Sequence, residues 1–239
     1  KLNFAARLFE PGSTFKLVTM IALLEDTNIE LGDSIDTGNG EYQFYNDKVR
    51  DHEEGGLGKV TIQEAFEHSS NVAMARLVDE HYGLKPASFV SYLDNFSLSK
   101  RLGIQIAGEP EPKIKRPGEK GWSGISLPWM AYGYGFEVTP LHILSLYNAV
   151  ANNGVMIKPV IVKSVKRADE DEETFGTDII NDRICSDETL RKLKVLLEGV
   201  VENGTAKNIK GTHYRIAGKT GTAQILENGR YTRKYITSF

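Results

Sequence analysis

The chain has 239 residues, 40% hydrophobic and 26% charged, with 29 Lys and Arg against 32 Asp and Glu for a net charge of −3. That is ordinary globular composition, enough for one large domain or two small ones with a sizeable core. There is no basic excess to argue for nucleic acid and no apolar run of roughly 18 residues to argue for a membrane span. The histidines (His52, His68, His81, His142, His213) show no metal-ligand spacing, and the single Cys185 excludes an internal disulfide.

The start, Lys1-Leu2-Asn3-Phe4, lacks signal-peptide architecture. A Pro11-Gly12 break then precedes a helical run from Ser13 to about Glu25, with Phe15, Val18, Ile21 and Ala22 at helical spacing. Residues 32–60, rich in Gly and Asp, read as loops with short strands at best. Thr61 to Glu64 is a capping-box pattern opening a short helix to about His68. Ser69-Ser70-Asn71 interrupts it, helical periodicity resumes from Asn71 to Tyr82, and Pro86 to Phe96 predicts a third helix. Residues 107–121 read as a long loop. Thr139-Pro140 predicts a capped helix running to Asn153, with Gly154 as its stop.

Met156 to Val165 reads as a strand with Pro159 at an edge or bulge. Asp169 to Glu173 is a solvated acidic turn. Ser186 or Asp187 caps a helix through about Glu202, and Arg215–Leu226 and Arg230–Phe239 read as strands joined by a Glu227-Asn228-Gly229 hairpin turn. The chain opens about a dozen residues before its first helix and stops within a strand pattern, which reads as a fragment of a longer protein.

Three short stretches carry chemistry. Ser13 and Lys16 lie three residues apart, so a helix puts both side chains on one face. A serine hydroxyl needs a neighbouring base to act as a nucleophile. A lysine serves when burial or nearby positive charge lowers its pKa. The N–H groups at that helix start favour a developing oxyanion. S-x-x-K recurs by chance about once in a chain this long, and Ser97-Leu98-Ser99-Lys100 is such a copy, without a following amphipathic helix. Ser69-x-Asn71 sits at a helix break, where the residues suit an N-cap or a proton-relaying hydroxyl and a substrate-holding amide. Lys219-Thr220-Gly221-Thr222 offers a cation and two hydroxyls on a strand edge, suited to a carboxylate. A lysine that protects the edge from aggregation is the plainer reading.

Together these stretches resemble the penicillin-binding proteins. Phe9-Glu10-Pro11-Gly12-Ser13-Thr14-Phe15-Lys16, Ser69-Ser70-Asn71-Val72 and Ala217-Gly218-Lys219-Thr220-Gly221-Thr222-Ala223-Gln224 are similar to the class B transpeptidases, as are Gly133-Tyr134-Gly135 and Ala149 to Gly154. Ser70 stands where the general pattern has Asp. The resemblance implies an α/β (α+β) fold like that of serine β-lactamases and penicillin-binding transpeptidases. That fold is an antiparallel sheet with flanking helices plus a helical lobe, the sheet incomplete in this chain. One transpeptidase domain would span 1–239, with about 26–154 as the lobe and 1–25 and 155–239 associated with the sheet.

The resemblance also implies roles. Ser13 would be acylated by the D-Ala-D-Ala end of a peptidoglycan stem peptide, with Lys16 as base and Ser69 passing protons between Lys16, Lys219 and the leaving amine. Asn71 would hold the substrate amide. Lys219, Thr220, Gly221 and Thr222 would form the carboxylate-binding wall, and the N–H groups of Ser13 and Thr222 the oxyanion hole. β-Lactams would acylate Ser13 stably. No cofactor or metal is implied.

A non-enzymatic β-lactam receptor is the alternative. A β-lactamase fits less well, since no Glu-x-x-Leu-Asn lies between Ser69 and Lys219. Ser-Ser-Asn and the Phe-Glu-Pro-Gly before Ser13 resemble the cell-division type. The expected setting is the periplasmic side of a bacterial inner membrane, with an anchor outside this chain, a glycan-polymerising partner and division proteins, and no nucleic acid.

Overall fold

The computed structural model describes residues 7–168, 171–227 and 230–239. A 3-10 turn, Gly12–Phe15, leads directly into helix α1, Lys16–Asp26. The sequence pattern suggests one apolar stripe. Instead every residue of α1 from Lys16 to Leu23 is buried, so α1 is a central helix covered on all sides. Helices α2 (Ile62–Glu67), α3 (Asn71–Tyr82), α4 (Pro86–Asn95), α5 (Ser126–Met130), α6 (Pro140–Ala151) and α7 (Asp187–Glu202) complete the α-helical set among the described residues. Helices α3, α4 and α7 pack on α1.

The capping signals place these helices well. Thr61 and Glu64 exchange both bonds of a capping box, and the Ser186 hydroxyl accepts from Thr189 N–H at 3.1 Å. On α7, Leu190, Leu193, Leu196, Leu197, Val200 and Val201 return every three or four residues and are all buried. Helix α6 begins at Pro140 behind Thr139. The Nδ1 of His142 takes the place of the usual acidic cap partner, 2.7 Å from the Thr139 hydroxyl.

The described strands pair two by two, all antiparallel. Ser34–Asp36 pairs with Lys59–Thr61, Glu41–Phe44 with Asp47–Arg50, Lys113–Ile114 with Phe136–Glu137, Met156–Ile157 with Ile179–Asn181, and Ser164–Val165 with Glu173–Thr174. The longest pairing is the hairpin of Gly221–Glu227 with Arg230–Ser238, irregular between Gln224 and Leu226. The proposed turn residues Asn228 and Gly229, and Asp169 and Glu170 of the acidic turn, lie outside the described residues.

Three expectations need correction. The loop at 107–121 contains the short strand Lys113–Ile114, and α5 follows it unannounced. Met156–Val165 is not one strand. Pro159 supplies no N–H, and the Gln105 side chain takes the next ones, accepting from Ile161 at 2.9 Å and Val162 at 3.2 Å. Nor does the hairpin begin at Arg215. Its first strand starts at Gly221, because Gly218 N–H donates to Leu197 O of α7 at 3.1 Å rather than to a strand partner. Lys219 and Thr220 therefore lie at the mouth of the hairpin.

Candidate active site

The turn carrying Ser13 is fixed through its backbone. Phe9 bridges Val138 in both directions, Gly12 N–H donates to Gly133 O at 3.0 Å, and the Tyr147 hydroxyl of α6 donates to Thr14 O at 2.8 Å. Such closeness demands glycine. A Cβ on Gly133, whose φ is +88°, would sit 2.1 Å from Gly12 O. A Cβ on Gly221 would sit 2.8 Å from the Thr14 methyl. A Cβ on Gly12 would be 3.2 Å from Thr222 O, so the start of the hairpin runs directly beside the serine turn. Glu10 ties the same turn to the hairpin, its Oε1 accepting from Gly135 N–H at 2.7 Å and from the Tyr231 hydroxyl at 3.1 Å. Burial pushes the Glu10 carboxyl above its ordinary pKa.

Ser69 supplies the second part. Its φ of +59° is left-handed, an uncommon conformation for a side-chain-bearing residue. The kink separates α2 from α3 and turns both Ser69 oxygens inward. Lys16 Nζ donates to Ser69 O at 2.5 Å, to Ser69 Oγ at 3.1 Å and to Asn71 Oδ1 at 2.8 Å. Lys219 Nζ approaches the same hydroxyl from the other side, donating to Ser69 Oγ at 2.8 Å and to Thr220 O at 3.1 Å. Ser70, not Ser69 or Asn71, caps α3, accepting from Ala73 N–H at 3.0 Å. The capping reading thus falls on Ser70, and the Ser69 hydroxyl is left between the two lysines. Asn71 Nδ2 donates to Arg50 O at 2.9 Å, which leaves its second N–H for a ligand.

Both lysines are fully buried. Burial and the neighbouring Lys219 charge push Lys16 well below its ordinary pKa, with Asp51 opposing. Burial pushes Lys219 down to about 7. The Phe66 ring lies 5.8 Å from its Nζ, and an apolar cavity of about 290 Å³ lined by Phe9, Ile143, Tyr147 and Phe239 lies beside it. Two like charges so close in a dry site favour losing one proton. Ser13 is 9% exposed, and among the described residues its hydroxyl has no hydrogen-bond partner, Lys16 Nζ being taken up by Ser69 and Asn71. The chance copy of the motif lies elsewhere, in the turn after α4, where Lys100 offers its carbonyl to His142 Nε2 at 2.9 Å.

Sequence reasoning missed Asp51. Its carboxylate accepts from Asn71 N–H at 2.6 Å, Val72 N–H at 2.9 Å and the Ser70 hydroxyl at 2.9 Å, holding the start of α3. It arrives on the hairpin of residues 41–50, with its own N–H on Gly40 O at 2.8 Å. No local pattern around an Asp in a Gly-rich stretch would have singled it out.

A mixed α/β fold with a serine turn, two buried lysines and a hairpin wall defines a class, the penicillin-binding transpeptidase fold. In solved structures it is shared with penicillin-binding protein 3 of Mycobacterium tuberculosis complexed with ampicillin, at a TM-score of 0.85 and 28% identity over 98% of this chain and 53% of that one. The transpeptidase domain of penicillin-binding protein 3 from Burkholderia pseudomallei matches in fold, with a TM-score of 0.81 at 24% identity over 98% of this chain and 66% of that one. The chain belongs to the penicillin-binding protein transpeptidase domain family, whose model matches residues 2–239. Among curated proteins it is 29% identical to stage V sporulation protein D of Bacillus subtilis over 97% of this chain and 35% of that protein. It is 33% identical to penicillin-binding protein PbpB of Mycolicibacterium smegmatis over 91% and 34%, and 28% identical to peptidoglycan D,D-transpeptidase FtsI of Escherichia coli over 96% and 36%. The chain spans about a third of the length of these relatives.

Proposed function

We propose that this chain is the catalytic domain of a peptidoglycan D,D-transpeptidase. The observation that carries the reading is the convergence of Lys16 and Lys219 on the Ser69 hydroxyl, at 3.1 and 2.8 Å. Neutral Lys16 takes the Ser13 proton as Ser13 Oγ attacks the carbonyl of the penultimate D-Ala. The N–H groups of Ser13 and Thr222 receive the oxyanion, while Asn71 holds the substrate amide and Lys219, Thr220 and Thr222 its terminal carboxylate. The proton passes through Ser69 to the leaving amine, and terminal D-Ala departs. The amine of a second stem peptide then attacks the acyl-enzyme, the bond to Ser13 Oγ breaks, and the proton lost by that amine passes through the lysine pair to Ser13 Oγ, which restores the hydroxyl as the cross-link forms. A β-lactam occupies the donor's place and stays attached to Ser13.

The relatives named FtsI support a cell-division role. On this reading catalysis takes place at the outer face of the bacterial inner membrane, beside glycan-polymerising and division proteins. Residues of about 26–154 serve as the helical lobe of the cleft and the hairpin as its wall.

The test is labelling with a fluorescent penicillin, followed over time. We expect a long-lived adduct, abolished by Ser13→Ala, and cross-linked product when donor and acceptor peptides are supplied. Rapid loss of label would point to hydrolysis, and a stable adduct without peptide cross-linking would point to a sensor.

A further inference from the structure

Thr205 lies on the chain that leaves α7, fifteen residues before Thr220, and its hydroxyl meets the Thr220 hydroxyl at 2.5 Å. The contact is built from behind. Thr205 N–H donates to Glu67 O at 3.2 Å, Gly204 N–H to Gly199 O at 3.1 Å and Ala206 N–H to Val200 O at 3.0 Å. A Cβ on Gly204 would lie 2.2 Å from Glu67 O, and one on Gly199 would lie 1.9 Å from Glu67 Oε1. Glu67 is itself held, accepting from Gln63 Nε2 at 2.8 Å and Asn203 Nδ2 at 3.3 Å. The end of α2, two residues before Ser69, thus fixes the height at which Thr205 reaches the hairpin mouth.

We propose that Thr205 is a specificity-determining residue that aims the Thr220 hydroxyl at an anionic group of the donor substrate. This rests on the reading of Thr220 as part of the carboxylate wall. Each hydroxyl carries one proton, and among the described residues neither oxygen has another side-chain partner. When an anion arrives, one arrangement lets Thr220 donate to it and keep the Thr205 contact. In that arrangement Thr205 donates to Thr220, and Thr220 donates to the anion. A donor already accepting a hydrogen bond is polarised toward its own acceptor, so such a chain favours a full negative charge over a neutral oxygen. Thr205 acts through Thr220 and need not touch the substrate.

The experiment compares acylation rate constants of the intact protein for benzylpenicillin and for its methyl ester, in wild type, Thr205→Val and Thr205→Ser. Wild type should prefer the carboxylate. Thr205→Val, nearly isosteric but without a hydroxyl, should narrow that preference about fivefold and leave the rate with the ester unchanged. Thr205→Ser should restore the preference. Equal slowing of both compounds by Thr205→Val would mean that Thr205 only supports the loop, and would overturn the proposal. So would a Thr205→Ser protein that has lost the wild-type preference for the carboxylate, an outcome readable even if the valine variant folds poorly. A wild type indifferent to the ester would remove the carboxylate wall itself, a failure distinguishable from failure of the Thr205 role alone.

Discussion

Asp51 combines a mechanical and an electrical task in one carboxylate. Its oxygens anchor Ser70, Asn71 and Val72 at the start of α3, and its charge opposes the depression of Lys16. Two substitutions separate these tasks. Asp51→Asn keeps an acceptor for the helix N–H groups and removes the charge, so the Lys16 pKa should fall further. The acid limb of the pH–acylation profile should then move to lower pH, with the melting temperature little changed. Asp51→Ala also removes the acceptor and should cost about 1–3 kcal/mol in urea unfolding. An acid limb that stays in place in Asp51→Asn would show that the carboxylate acts only as an anchor.

At the scale of elements, the serine turn depends on backbone touching backbone. Gly133→Ala places a methyl against Gly12 O and forces alanine to a φ of +88°. It should destabilise the protein by roughly 2–4 kcal/mol and slow acylation in whatever fraction stays folded. Wild-type thermal stability and labelling in that variant would refute the close approach. This contact also marks the limit of what the sequence discloses. Ser13, Lys16, Ser69, Asn71 and Lys219 stood out only because three short stretches, each ordinary alone, together resemble the class B transpeptidases, and the capped helices because capping is a short-range rule. Local chemistry does not determine where Met156–Val165 breaks or where the hairpin begins. Gln105 and Leu197, some fifty and some twenty residues distant, divert the backbone N–H groups that strands would have used. Asp51 and Thr205 escaped notice for the same reason, since each acts through partners remote in the chain.

For the molecule as a whole, two buried lysines give stability an unusual pH dependence. Their folded pKa values are lowered, to about 7 for Lys219, against about 10.4 for ordinary lysine. Across that interval the unfolded chain binds protons that the folded protein lacks, so stability rises with pH, by at most about 1.4 kcal/mol per pH unit for each lysine. Burial raises Tyr82, Tyr92 and Tyr147 in the folded protein. Their ionisation in the unfolded chain reverses the trend near about pH 10. Urea midpoints should therefore climb from neutral pH to about pH 9.5, and Lys219→Met should flatten the climb. A flat wild-type profile would mean that the lysines keep their protons. The Ser69 hydroxyl joins Lys16, 53 residues away, to Lys219, 150 residues away. A chain that has formed only one of these contacts still lacks a lysine at Ser69, so on the proposed mechanism acylation of Ser13 should require both distant segments to be seated. On that reading penicillin labelling would be a census of molecules with both segments in place, blind to any that are merely compact.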